Sequence, residues 1–258
     1  MELCVKGCEI LLLAAGFGER LRPITDHTPK PLIKVGGKTL IERNLELIAR
    51  SGFHRVFINL HWHGEKIRNF VGDGSRWNLA VEYSEEDPIL DTGGAIKQIQ
   101  HRLTEPVLMT INSDILVGPD CDLNAFLRAH VENIESPAAT MVVRNDPGIK
   151  VFGAIGVLPS GEVASFVGKP YPRGDGDAAG LKIEETVFIG IQVLSDRVYG
   201  YMPAAGVPFG ITRQTYPKML EAGERVWSVK FNGYWSDVGT PDRLEEASKA
   251  INGIFSVP

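Results

Sequence analysis

The stretch Leu13-Ala14-Ala15-Gly16-Phe17-Gly18-Glu19-Arg20-Leu21-Arg22-Pro23 decides the reading of this chain. It continues an apolar run, residues 9–14, that reads as a buried strand. Two glycines just past a strand let backbone N–H groups come close to a phosphate. Arg20 and Arg22 add positive charge beside them. Thr28-Pro29-Lys30-Pro31 follows, a rigid segment that holds Lys30 in place. Cations aimed at phosphates stabilise charge at a transferring phosphoryl group. A dinucleotide-binding loop would need a third glycine opening a helix, and here Pro23 interrupts. A Walker A loop would need Gly-Lys-Ser/Thr, which is absent. The remaining alternative is a plain strand-to-helix connection, and the clustered Arg20, Arg22 and Lys30 favour the phosphate loop.

Outward from this loop, strands alternate with helices. Residues 39–51 read as a helix, with Thr39 and Glu42 in a capping-box pattern, an apolar stripe of Leu40, Ile41, Leu45 and Ile48, and Gly52 as its stop. Residues 55–60, 79–83 and 107–111 read as strands, and 65–71 and 92–102 as helices. This alternation predicts an α/β fold with a parallel sheet, helices on both faces and right-handed crossovers. On such sheets ligands bind beyond the carboxyl ends of the strands.

The second half is less regular. Residues 138–143, 152–157, 163–167 and 187–194 read as strands, and 213–222 and 241–251 as helices, the last with Pro241 at its first position. Residues 173–180 are polar and glycine-rich and read as a loop. One domain over 1–258 is the simplest organisation, with about 1–135 as a first half and about 136–258 adding a substrate-binding lobe. The formal net charge of −5 carries no basic block, which argues against nucleic acid as a partner. The apolar run 10–15 is too short to span a membrane and lacks a signal-peptide layout. Three cysteines, Cys4, Cys8 and Cys121, suit a reduced, cytoplasmic chain better than a disulfide framework or a zinc site.

Asp114, in Asn112-Ser113-Asp114, follows the strand ending at residue 111, where it could meet a cation in the cleft or simply shape a turn. Asp237, in Trp235-Ser236-Asp237-Val238-Gly239-Thr240-Pro241, lies between an aromatic strand end and a helix start, with the same two readings. Magnesium is typically held by one or two carboxylates and completed by substrate phosphates, so the pair says more than either residue. Asp91-Thr92-Gly93-Gly94 brings two glycines to a helix start, where a base or ribose could lie against the backbone. His61-Trp62-His63 lacks further metal ligands at a recognised spacing and reads as ordinary loop residues near the cleft.

The segment 13–31 resembles the signature of the sugar-1-phosphate nucleotidyltransferases: a strand, then G-x-G-x-R, then P-K-P. The resemblance continues to the end of the chain. It implies a Rossmann-like three-layer α/β/α nucleotidyltransferase fold with a mostly parallel mixed sheet. It assigns Ala14, Ala15, Gly16, Phe17, Gly18, Glu19, Arg20, Thr92, Gly93 and Asn112 to the nucleotide. Arg20, Lys30 and Asp114 become the catalytic set, with Asp114 and Asp237 as ligands of Mg²⁺. Gly153, Lys169 and Glu185 fall to the sugar phosphate. Two positions depart from the family pattern: Asp91 replaces a glycine, and Gly168 replaces the acidic residue that meets sugar hydroxyls. The implied substrates are a nucleoside triphosphate, with UTP favoured, and a sugar 1-phosphate. The implied protein is a monomer or homo-oligomer. Within the family the chain is most similar to short enzymes that uridylylate N-acetylmuramic acid 1-phosphate, and its length agrees, since no hexapeptide-repeat acyltransferase segment follows. Guanylyl or thymidylyl transfer to heptose, mannose or glucose 1-phosphate shares most of these motifs. A non-catalytic nucleotide-sugar sensor is the alternative of another class.

Overall fold

The computed structural model describes residues 7–171 and 182–255. Cys4 and the loop read at 173–180 lie outside the described residues. In chain order the elements are β1 (Cys8–Leu13), β2 (Lys34–Val35), β3 (Lys38–Thr39), α1 (Leu40–Arg50), β4 (Arg55–Leu60), α2 (Gly64–Val71), β5 (Ala80–Glu85), α3 (Asp91–Ile99), β6 (Val107–Asn112), β7 (Ile115–Val117) and α4 (Leu123–Val131). Then come β8 (Ala139–Arg144), α5 (Ile149–Phe152), β9 (Ile155–Val157), β10 (Val163–Phe166), β11 (Lys169–Pro170), β12 (Glu184–Ser195), α6 (Tyr216–Glu221), β13 (Val226–Lys230), β14 (Trp235–Asp237) and α7 (Pro241–Ile254).

β1 is covered on both faces, so it is apolar apart from Glu9, whose buried carboxylate is paired with Arg55. Ile10 and Leu12 enter one core with Ile41, Leu45 and Ile48 of α1, while Leu11 enters the other with Ile96 and Ile99 of α3. The fold is therefore a three-layer α/β/α arrangement. β1 pairs in parallel with β4 and β6, and β4 with β5, as the alternation predicts. The sheet then turns mixed. The long strand β12 lies antiparallel to β6, β8 and β9, which joins the two halves of the chain in one sheet. Among the described residues no helix is long and apolar enough to cross a membrane.

The capping box at α1 forms as read: Glu42 N–H donates to Thr39 Oγ1 and Thr39 N–H to Glu42 Oε2. Three expected elements differ. The strand at 152–157 is a helical turn ending at Phe152, then β9 from Ile155, because Gly153 turns the backbone at φ +86°. The helix at 213–222 begins as a wide turn over Ile211–Thr215 and becomes regular only from Tyr216. The helix at 92–102 tightens to a 3-10 turn after Ile99.

Candidate functional site

The carboxyl ends of β1 and β6 carry the site. Register places Leu13 beside Asn112, so the glycine loop and the Asn112-Ser113-Asp114 turn leave the sheet side by side. Ser113 N–H donates to the Leu13 carbonyl at 3.0 Å and holds them there. Asp237 arrives from far along the chain through the short pair β14–β7, in which Asp237 lies opposite Ile115. Val238 N–H also donates to the Asp114 carbonyl at 3.0 Å. Two carboxylates 123 residues apart (237 − 114) thereby face one space.

Lys30 sits between them. Its Nζ donates to Asp114 Oδ2 at 2.5 Å and stands 3.6 Å from Asp237 Oδ1. Only 9% of Lys30 is exposed, so this cation is held in a narrow position by its prolines and the two acids. Arg20 reaches Asp237 Oδ2 at 3.9 Å while remaining largely exposed. Burial, then the negative charge of Asp114, push the Asp237 carboxyl above its usual range, while Lys30, Arg20 and Arg243 act the other way. Asp237 Oδ1 is buried and has no hydrogen-bond partner. Gly239 keeps this cluster uncrowded: a Cβ at that position would meet Asp237 Oδ1 at 2.7 Å and Arg20 Nη2 at 2.8 Å and displace them.

Beside this cluster lies a cavity of about 200 Å³ lined by Ala14, Ala15, Gly16, Lys30, Asn59, Glu86, Asp91, Thr92, Asn112 and Asp114, among others. Leu13, Thr92 and Asn112 also line a second cavity of about 840 Å³, so the two adjoin. Gly153 and Lys169 line this second cavity, together with Phe152, Phe166, Tyr171 and Phe188.

A sequence model described as nucleotidyl transferase matches residues 9–253. The chain belongs to the nucleotidyl transferase family. It is 33% identical over 250 residues to an N-acetylmuramate alpha-1-phosphate uridylyltransferase of Neisseria meningitidis, covering 95% of this chain and 98% of the relative. It is 27% identical to a UTP–glucose-1-phosphate uridylyltransferase of Synechocystis, of which it spans only 63% of the length. It is 28% identical to a mannose-1-phosphate guanylyltransferase of Mycobacterium tuberculosis, of which it spans 66%. These relatives are sugar-1-phosphate nucleotidyltransferases, as the motifs at 13–31 implied. The crystal structure of HddC from Yersinia pseudotuberculosis superposes with a TM-score of 0.76 over 94% of this chain and 99% of that one. At 20% identity that likeness speaks for the fold.

For this nucleotidyltransferase the predicted residues do not all gather at the cavities. Phe17 turns aside to pack on His61 and Trp62. Gly93 is absent from the lining of either cavity. A Cβ there would lie 2.2 Å from the Phe209 ring, so packing against Phe209 by itself demands a glycine at this position. Glu185 is exposed, pairs with Gly156 across β12–β9, and lines neither cavity. Lys169 Nζ is held by Glu221 at 2.7 Å.

Several residues at the site escape sequence reading. Asn59 Oδ1 accepts from Ala14 N–H at 2.7 Å, and its Nδ2 donates to Glu86, fixing the start of the glycine loop. Arg243 Nη1 stands 3.1 Å from Asp237 Oδ2, with its guanidinium over the Phe152 ring. Lys150 and Arg213 line the larger cavity. None of these lies in a motif; for Asn59 the one usable signal was a polar residue near the end of an apolar strand.

Proposed function

We propose that this chain joins a sugar 1-phosphate to a nucleoside triphosphate, with UTP favoured, and releases pyrophosphate. The observation that carries this reading is the convergence of Arg20, Lys30, Asp114 and Asp237 in one ion-paired cluster, of which Lys30 and Asp114 line the smaller cavity. A sugar phosphate oxygen attacks the α-phosphorus in line, and pyrophosphate leaves on the opposite side. The attacking phosphate is already an anion, so the site needs no general base. Its work is positioning and charge neutralisation. Lys30 serves at the α-phosphate, Arg20 at the leaving group, and Lys169 at the sugar phosphate. The free backbone beyond Ala14 cradles the triphosphate.

The acidic pair fits a hard divalent cation. It offers carboxylate oxygens only, and one of them, Asp237 Oδ1, is buried without a hydrogen bond. Asp114 and Asp237 would hold Mg²⁺. When bound, the ion supplies further charge neutralisation at the phosphate oxygens.

The preferred acceptor is an acidic sugar 1-phosphate, of the class that includes N-acetylmuramate 1-phosphate. Lys150 and Arg213 line the larger cavity, with Lys169, whose ammonium is paired with Glu221, and no carboxylate lines it among the described residues, in a chain of net charge −5. A sugar bearing a carboxylate matches this lining, and the relative covered over 98% of its length acts on such a sugar. The test is pyrophosphate release with Mg²⁺, pairing UTP, GTP, dTTP, CTP and ATP with neutral and carboxylated sugar 1-phosphates. Release is expected for UTP with the carboxylated sugar. Release only with GTP or dTTP and a neutral sugar would replace both finer assignments. Bound nucleotide with no release in any pairing would favour the sensor.

A further inference from the structure

The His61-Trp62-His63 segment does more than border the cleft. Three consecutive backbone carbonyls of the loop that carries Arg20 and Lys30 are each taken by a side chain from the segment after β4. Trp62 Nε1–H donates to the Thr25 carbonyl at 3.1 Å, His63 Nε2–H to the Asp26 carbonyl at 2.9 Å, and Lys66 Nζ to the His27 carbonyl at 2.5 Å. A carbonyl only accepts, so each histidine nitrogen concerned carries the proton. Thr25 is 1% exposed, and its hydroxyl donates to the Gly18 carbonyl at 2.8 Å. The Trp62 ring also packs on Phe17, with centroids 5.6 Å apart, so one tryptophan grips both ends of the turn that contains Arg20. On the other side, His61 Nδ1–H donates to the Glu86 carbonyl at 2.8 Å. The Glu86 side chain accepts from Asn59 and from Leu90 N–H at the wall of the smaller cavity.

We infer that Trp62, His63 and Lys66 are positioning residues that latch the phosphate loop, with His61 tying the same latch to the opposite wall of the nucleotide cavity. The loop is a series of short turns closed by its own backbone bonds, and without the latch the carbonyls at 25–27 would bond to water. The latch holds the backbone so that Arg20 and Lys30 stand ready, and it acts on the nucleotide rather than on the sugar phosphate. The inference rests on the reading of residues 16–30 as the triphosphate loop.

The test is nucleotide affinity by calorimetry, using UTP with Mg²⁺ (or whichever triphosphate the wild type binds), alongside steady-state kinetics. Trp62→Phe keeps the ring contact with Phe17 and deletes the donor. It is expected to raise the nucleotide Kd and KM by about five- to tenfold, the scale of one hydrogen bond, and to leave the sugar-phosphate KM unchanged. Lys66→Met, at an exposed side chain, is expected to act in the same direction, and Lys66→Arg to restore the wild-type value. In an Arg20→Met background the effect of Trp62→Phe should shrink, because the two act through one loop. Unchanged nucleotide affinity in both Trp62→Phe and Lys66→Met would overturn the latch. So would equal losses for both substrates with a lowered Tm, which is what a merely structural role produces. Failure of the wild type to bind any triphosphate would instead remove the functional reading beneath it.

Discussion

Asp237→Asn isolates the metal assignment. Asparagine keeps the shape of the side chain and removes the charge that faces Asp114 across Lys30. Among the described residues no group of three or more His, Cys, Asp or Glu side chains could hold a metal. Two carboxylates alone bind Mg²⁺ weakly, and substrate phosphates complete its coordination. The ion should therefore stabilise the protein only when nucleotide is present. With a non-hydrolysable UTP analogue bound and Mg²⁺ at a hundredfold its Kd, mass action gives about 2.7 kcal/mol. For a chain of this length each kcal/mol moves Tm by about 2–4 °C, so the shift should be roughly 5–11 °C. If loss of one carboxylate weakens the ion about a hundredfold, the same concentration yields only about 0.4 kcal/mol, or a shift near 1 °C. Scanning fluorimetry with and without Mg²⁺ reads the difference. An Asp237→Asn protein that keeps the full Mg²⁺ shift would refute the assignment. A shift of equal size without nucleotide would refute the claim that phosphates complete the site.

Other expectations are direct. Asp114→Asn should bind nucleotide nearly as the wild type does and lose turnover by about a hundredfold or more, measured as pyrophosphate release; near-normal turnover would remove Asp114 from the mechanism. Arg213→Met should raise the KM of a carboxylated sugar 1-phosphate and spare a neutral one, and equal effects on both would argue against an acidic acceptor. Gly239→Ala should cut turnover while the protein stays folded, because the added methyl meets Asp237 and Arg20; unchanged kinetics would show that the contact relaxes freely. His130 is buried, with Nδ1 at 2.9 Å from the Thr140 hydroxyl, and burial pushes its pKa down to about 4, helped by Arg197. The unfolded chain binds that proton near pH 6.5 and the folded chain does not until about pH 4, so stability falls as pH drops through this window, by up to ~3 kcal/mol. His130→Gln should flatten that part of a denaturation–pH profile, and an unaltered slope would assign it to other groups.

Much of the fold is legible in residues 9–60 because its signals are local. A strand covered on both faces must be apolar except where a buried charge finds a partner, as Glu9 does in Arg55, and Thr39 with Glu42 closes a helix start through neighbours three residues apart. The glycine loop is equally local, since it needs only small residues and nearby cations. Asp114 and Asp237 were recognisable as types at suggestive places, one after a strand and one before a helix. That they face one space is a tertiary fact, set by the β14–β7 pairing and by Lys30 between them. Gly93 is a second case: the Phe209 ring, 116 positions away (209 − 93), demands a glycine there, and no local signal shows it. The strand expected at 152–157 failed because alternation carries no sign of a backbone turn at Gly153. His61-Trp62-His63 reads as ordinary loop residues near the cleft, since a sequence does not show that three carbonyls at 25–27 lie within reach of residues 62–66. Periodicity, caps and glycine loops depend on neighbours in the chain, and the sequence determined those. Which distant side chains share a cavity, a charge or a hydrogen bond depends on how the strands are ordered and registered, and only the tertiary structure decided that.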